Sequence, residues 1–402
     1  MISRQLSSAV DDEARLEHLT RIAVSRVPTR PGSIVLSHGH GLWRPARRST
    51  FTGSARALYQ WARTEGLDAA WVRPPGASEP IGSTITLNRP SGLLRAARAH
   101  VAVGGSNSGI PWPILSDRTW VVQAWHGTPL KTLGSQNPNV KFRDSRIRMR
   151  ADAFVSSGPE FTERMRRCYQ IPEERFWELG NPRNDRLLLA SPDDVAGLRV
   201  RLTRVVGQEF STVVLYAPTY RDWGAPIGLL QLPQQDLERL AAFLARRRCL
   251  LVVRPHDNEA ETFARTTLPS RWIVAADRIA PDWDVNDWLL AAQVLVTDYS
   301  SIAFDYLLLN RPVIHLAPDL DEYAKRRGFL VDPESDWCGP RVRDGSELID
   351  ALEGAIQEPQ AGSSRRRYLN SIFNPLEDGR STERVGESIL RLIAAGPRQS
   401  GS

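Results

Sequence analysis

A histidine, a glycine and a lysine stand together where an apolar run stops: TWVVQAW (119–125) gives way to HGTPLK (126–131). An imidazole that titrates near neutrality suits removal of a proton from a hydroxyl, so His126 is a candidate base. Gly127 lets a substrate approach the backbone, and Lys131 can hold an anion. A histidine hydrogen-bonded beneath an ordinary turn would leave the same residues. TDYSS (297–301) lies between a strand-like run and the helix-like SIAFDYLLL. Amides at a helix start, with the hydroxyls of Ser300 and Ser301 beside them, bind phosphate oxygens; Asp298 or Ser300 acting only as a helix cap gives the same pattern. Asp305, four residues after Ser301, shares its helical face and can reach ligand hydroxyls or bond its own helix. RPHD (254–257) puts Arg254 and His256 just past a buried run, the first to neutralise a diphosphate and the second to donate to a leaving oxygen. Arg221 in PTYRD (218–222) adds a cation at another strand end, and GNPRND (180–185) presents Arg183 on a Gly/Pro/Asn turn. HGH (38–40) brings two imidazoles together, but without a nearby Cys or carboxylate it does not read as a metal site.

Each of these groups follows a short apolar, β-branched run, and the runs alternate with segments of helical period. That is the pattern of a parallel sheet with crossover helices. In the first half SIVLS stops at HGHG (38–41), HVAV at GGSNSG (104–109), DAFVSS at GPEF (158–161) and FWEL at GNPRND. In the second half TVVLYA stops at PTYRD, CLLVV at RPHD, QVLV at TDYSS and PVIHL at APDL (317–320). Ligands of open α/β sheets bind outside the carboxyl ends of the strands, so two such sets predict two doubly wound domains. A chain of 402 residues, 41% hydrophobic, suits two cores better than one. The expected division is a partly flexible segment 1–29, a domain 30–205, a domain 206–378, and a closing helix with a flexible tail over 379–402. The seam falls between SPDD (191–194) and QEFST (208–212), with the helix-like VAGLRVRLTRVV passing between the domains. The stretch 30–48, EPQAGSSRRR (358–367) and the final GPRQSGS read as flexible or exposed, while STERVGESILRLIAA (381–395) reads as a helix capped by its own Ser or Thr.

A net charge of +6 is compatible with an anionic partner and equally with ordinary surface composition. Its polar residues sit at strand ends rather than along one basic stripe with interleaved aromatics, which argues against nucleic acid. Cys168, Cys249 and Cys338 are odd in number and far apart, so neither a disulfide framework nor a CxxC site is expected, and a reducing cytoplasm fits. Charges interrupt the first thirty residues, and no window approaches the roughly 18 apolar residues of a membrane span; neither a signal peptide nor a spanning helix is expected. NVKFRDSRIRMR (139–150), with five basic residues and one acidic between Lys141 and Arg150, reads as a segment resting on anionic headgroups or as a solvated face.

In this order and spacing, WHGTPLKTLG, GNPRNDRLL, YAPTYRD, RPH and VTDYSSIAFDYLLLNRPVIHLAPDLDEYAKRRGF resemble the CDP-glycerol glycerophosphotransferase family of teichoic acid and capsule polymer enzymes. The similarity runs from IVLSHGHG near residue 34 to DGRSTERV (378–385). It implies an α/β, GT-B-like fold in which two Rossmann-like doubly wound domains face a central cleft, the first offering the acceptor and the second holding the CDP donor. His126 would be the base and His256 would stand at the donor diphosphate, with Arg221, Arg254, Asp298, Ser300, Ser301 and Asp305 binding donor. Gly127, Thr128, Lys131, Arg183 and Asn184 would serve acceptor or phosphate. The implied reaction moves glycerol phosphate, or a related polyol phosphate, from a CDP-linked donor to a hydroxyl of a teichoic-acid-like or capsular acceptor and releases CMP. Neither cofactor nor metal is implied, and the acceptor is membrane-held at the inner face of the cell membrane, where the protein would associate peripherally. Two positions depart from the family pattern: Asp257 where a proline usually follows the RxH histidine, and Gln293 where an aspartate is common. Both bear on which group is transferred. A GT-B sugar transferase using a nucleotide sugar shares the fold and would release UDP or GDP. A non-catalytic basic protein bound to membrane or nucleic acid would instead show steep salt dependence and no turnover.

Overall fold

The computed structural model describes residues 27–38, 51–74, 82–105, 114–138, 151–221, 223–224, 228–255, 268, 270–330 and 332–399. His256, Asp257, His40, the basic segment 139–150 and most of the stretches 1–29 and 30–48 lie outside the described residues.

Seven strands build the first sheet: β1 (Ser33–Ser37), β2 (Asp68–Val72), β3 (Thr84–Ile85), β4 (Val101–Gly104), β5 (Trp120–Gln123), β6 (Ala153–Ser156) and β7 (Phe176–Glu178). Six build the second: β8 (Thr212–Tyr216), β9 (Cys249–Val253), β10 (Ile273–Ala275), β11 (Val294–Thr297), β12 (Val313–Leu316) and β13 (Arg341–Val342). Their orders are β3-β2-β1-β4-β5-β6-β7 and β10-β9-β8-β11-β12-β13, with every neighbouring pair parallel. Runs such as SIVLS and CLLVV are buried at every residue because helices cover both faces of a parallel sheet. In the helix Gly53–Thr64, Ala55, Leu58, Tyr59 and Ala62 face inward at helical spacing and meet Trp71 of β2. Burying one such Leu or Tyr stabilises the fold by about 1.5–3 kcal/mol. Both strand orders reverse next to their first strand, between β1 and β4 and between β8 and β11. These switch points open the two crevices that the strand-end pattern predicts.

The chain passes between sheets through the helix Pro192–Val206, opened by a capping box of Ser191 and Asp194 and closed by Gly207 at φ 70. Its Leu202 belongs to the core of the second sheet. The last helix, Ser381–Ala394, returns to the first sheet, where Val385 and Ile389 join Leu58 and Trp71. It is not capped by its own Ser or Thr. Asp185 accepts from the amides of Ser381 (3.0 Å) and Thr382 (2.7 Å), so the cap comes from a residue nearly two hundred positions away. Residues 358–367 also depart from the expected loop: a helix spans Ser363–Phe373, and Arg366 is buried, donating to the carbonyls of Asn310, Pro359 and Ala361. A run of three arginines looks solvated in sequence because nothing local announces that Asn310, 56 residues earlier, completes the set of carbonyls. In the tail, Arg398 is held by Asp152 at 2.7 Å.

Glu377 sits at the joint between the lobes, accepting from the amide of Asn181 (2.7 Å) and the hydroxyl of Ser381 (3.1 Å). Burial, aided by the charges of Asp305 and Asp185, raises its pKa from 4.5 to about 7. The folded state therefore holds a proton that the unfolded state has lost between these values, and this contribution to stability declines as pH rises through that window. Glu377→Gln should remove the decline: from pH 5 to 8 the wild type loses on the order of 3 kcal/mol relative to the variant, read from urea midpoints at each pH. Parallel stability curves for the two proteins would contradict the assignment.

Candidate active site

β5 ends in a backbone that the sequence does not announce. Trp125 has φ +48 and Gly127 φ +144. Between these turns His126 is exposed, stacks on the Trp125 ring at 4.5 Å and 25°, and places Nδ1 3.2 Å from the carbonyl of Gly105 at the end of β4. A carbonyl only accepts, so Nδ1 carries the hydrogen and Nε2 keeps the lone pair. That is the tautomer a base requires.

The next residue meets the second lobe. A Cβ added to Gly127 would lie 2.7 Å from Oγ of Ser301 and 3.1 Å from Nη2 of Arg183. Glycine is needed here for the close approach of those two side chains as well as for its positive φ, a different reason from the substrate access expected of it. Beyond it Leu130 accepts from the amide of Leu330 (2.8 Å), Lys131 bridges antiparallel to Phe329, and the amide of Thr132 donates to Gly328 (3.2 Å). Arg164, buried, pairs with Asp336 at 2.8 Å and donates to the carbonyl of Pro129. Thr128 is buried and Lys131 half-buried in this clasp. The strand end bearing His126 is thereby fixed against the second lobe.

On the second lobe, Ser300 and Ser301 are half-buried in a turn leading into the helix Ile302–Tyr306. Only five residues are α-helical before a 3-10 turn, Leu307–Leu309, so donors of the turn itself matter more than a long helix dipole. Ser301 makes no side-chain cap bond to this helix, and Oγ of Ser300 accepts from the amide of Ile302 at 3.5 Å. Asp298 faces inward instead, accepting from the amides of Thr219 (2.8 Å) and Tyr299 (2.6 Å) and from Nη1 of Arg221 (2.8 Å). Arg221, fully buried, also holds Asp319 at 2.8 and 3.0 Å and lies between the rings of Tyr299 and Tyr323. Burial alone would lower its pKa; Asp298 and Asp319 reverse this and hold it above the ordinary range. Arg221 and Asp298, expected to bind donor, are therefore committed to each other. They tie the loop after β8 to the loop after β11. The carbonyl of Asp298 accepts from Nδ1 of His315 (2.9 Å), whose Nε2 accepts from the amide of Cys338 (3.1 Å). Burial pushes His315 down to about 4, so it stays neutral and keeps both bonds.

Asp305 contacts neither its own helix nor open space. Nη2 of Arg183 lies 2.9 and 2.7 Å from its two oxygens, and Nδ2 of Asn184 lies 3.3 Å away. All three are buried, so groups expected on separate ligands are bonded to one another here. They form a polar joint between the lobes, with Arg183 alone reaching the Gly127–Ser301 contact. Arg254 follows β9, half-buried, its amide held by the carbonyl of Tyr216 at 2.8 Å. Gln293 lies at the opposite end of β11 from the turn, where Oε1 accepts from the amide of Val213 (2.8 Å). That departure joins β11 to β8 in the interior of the sheet, remote from the turn. A separate pocket of about 270 Å³, between the helix Gly53–Thr64 and Asp284–Asp287, includes Arg183 but none of His126, Gly127, Ser300 or Ser301. Two of its charged contacts, Arg56 with Asp284 and Arg186 with Asp287, are internal pairs.

A candidate base one residue from a serine-bearing turn, at the meeting of two switch-point crevices, suits transfer of a phosphorus group to a hydroxyl. Residues 39–391 match the model of the CDP-Glycerol:Poly(glycerophosphate) glycerophosphotransferase family. The chain belongs to that family. It is 31% identical over 302 residues to the teichoic acid glycerol-phosphate transferase of Staphylococcus aureus (strain NCTC 8325 / PS 47), covering 70% of this chain and 73% of the relative. It is 28% identical over 395 residues to the teichoic acid poly(glycerol phosphate) polymerase of Bacillus subtilis (strain 168), covering 91% of this chain and 50% of the relative. The chain thus spans about half the length of that polymerase. Its fold matches a structure of the wall teichoic acid polymerase TagF with a TM-score of 0.78 at 22% identity, covering 98% of each chain. The architecture of this family member is GT-B-like, as its sequence implies.

Among residues that sequence reasoning passed over, Trp125 and Gly105 orient His126, and Glu377 and Arg164 join the lobes. Trp125 precedes the histidine in the very stretch singled out, yet an aromatic closing an apolar run reads as core. The others have no local signal.

Proposed function

We propose that the protein transfers glycerol phosphate, or a related polyol phosphate, from a CDP-linked donor to a hydroxyl of a teichoic-acid-like acceptor. The observation that carries this reading is the contact of Gly127 with Ser301, which brings the strand end bearing His126 against the TDYSS turn in a member of this family. Nε2 of His126 takes the acceptor's proton as its oxygen bonds to the phosphorus bearing the polyol. The bond from that phosphorus to the bridging diphosphate oxygen breaks, and CMP leaves with the electron pair. Donors fixed before the reaction, from the Ser300–Ser301 turn and Arg254, meet the charge that grows on the phosphoryl oxygens. His256 serves the leaving side in this scheme. We assign no cofactor. The acceptor is membrane-held and the protein works peripherally at the inner membrane face; among the described residues, no helix is long and apolar enough to cross a membrane.

CMP release with CDP-glycerol and a lipid-linked acceptor, compared with CDP-ribitol and UDP- or GDP-sugars, tests the reading. Turnover only with a nucleotide sugar would replace it. Ser301→Ala should weaken donor affinity roughly tenfold, the scale of a lost hydrogen bond to a charged oxygen, while changing stability by less than about 0.5 kcal/mol. Unchanged affinity for CDP-glycerol in a calorimetric titration would remove Ser301 from the donor site.

A further inference from the structure

Four non-glycine residues among those described have positive φ: Trp125, Gln170, Arg248 and Asn310. Gln170, Arg248 and Asn310 each end a helix, where a left-handed residue is ordinary. Trp125 stands two residues past the end of β5, and a bulky aromatic in this region persists only where its surroundings over-determine it. Those surroundings are Phe154 at 5.7 Å and Tyr169 at 5.7 Å on the indole, with Trp125 itself buried. The outcome of the turn is specific: the following imidazole lies on the indole at 4.5 Å and 25°, with Nδ1 aimed at the carbonyl of Gly105.

We propose that Trp125 is a positioning residue for His126, its left-handed backbone turning the imidazole out of β5 and its indole face supporting the imidazolium formed when Nε2 takes the acceptor's proton. This rests on the role given to His126 above. In many acid–base sites a carboxylate orients the histidine and offsets its positive charge. Here a carbonyl and an aromatic face contribute to both tasks: Gly105 accepts from Nδ1–H in both protonation states, and the electron-rich face of the indole attracts the cation more than the neutral ring. The proton moves from the acceptor hydroxyl to Nε2 and is later released to solvent; Trp125 itself gains and loses nothing.

Trp125→Leu and Trp125→Phe separate this role from packing. Both remove volume from the same small core, so a purely structural role lowers the melting temperature in both and leaves their turnover alike well below it. With CDP-glycerol, Trp125→Leu should lower kcat roughly 10- to 100-fold, the range of a misplaced catalytic group, with the donor KM changed less than about twofold. Trp125→Phe, which keeps an aromatic face, should recover most of that loss. Equal kcat in the two folded variants, or undiminished kcat in Trp125→Leu, would overturn the inference while leaving the transfer reaction intact. Absence of CMP release by the wild type with any CDP-polyol would overturn both. A third measurement needs neither turnover nor a folded variant of Trp125: the wild-type His126 ring protons, assigned by their loss in His126→Ala, should lie upfield from ring current. Ordinary shifts would overturn the stacking on which the inference stands.

Discussion

A His126→Ala protein is expected to fold, to bind CDP-glycerol, and to turn it over about 10²- to 10⁴-fold more slowly, the usual contribution of a positioned base. The imidazole is exposed, so its removal costs little buried surface and should leave the melting temperature nearly unchanged. Its loss should appear in kcat, because the proposed reaction uses Nε2 on the acceptor hydroxyl and assigns the donor to the second lobe. Rapid-quench measurement of CMP formation with the donor saturating makes that distinction. A correctly folded variant releasing CMP at the wild-type rate would remove His126 as base and transfer the task to another group in the crevice.

Asp305→Ala should produce the largest loss of stability. Asp305 and Arg183 form a pair whose side chains are 8% and 5% exposed, with Asn184 on the same carboxylate. Truncating the acid leaves a buried guanidinium without its partner, at a cost of roughly 3–5 kcal/mol. In lobes of this size that lowers the melting temperature by roughly 10 °C. Arg183 also lies beside the Gly127–Ser301 contact, so turnover should fall together with stability. Calorimetry on Asp305→Ala, on Arg183→Met and on the double variant tests the pairing: the double variant should be less damaged than the sum of the two, since the penalty belongs to the orphaned charge. Additive losses would show that the two residues act independently. Removing Asp305 also takes away one of the charges that raise Glu377, so the pH dependence assigned to that group should weaken in the variant.

The architecture and the strand ends that form the candidate site are legible in the residues alone. Short apolar runs with no polar face require sheets covered on both sides, and the small and polar residues after each run mark the edge where ligand chemistry belongs. HGTPLK and TDYSS stand out for the same reason, as residues that no buried strand would tolerate. Side-chain destinations are another matter. Arg221, Arg183 and Asp305 look like ligands in sequence because charged groups beside a strand end are suited to phosphate, yet each finds its counter-charge in a loop or lobe far along the chain. Arg366 and Gln293 show the same thing at positions without chemistry. Unbroken apolar runs alternating with segments of helical period by themselves determined that this protein has two doubly wound lobes, because burial patterns are local, continuous along a strand covered on both faces and recurring every third or fourth residue along a helix. Only the tertiary structure decided that Gly127 touches Ser301, that the His126 ring stacks on Trp125, and that Arg183, Asn184 and Asp305 join the lobes. Those facts depend on which distant charge or ring lies within a few ångströms, a property of the assembled lobes that no stretch of chain carries.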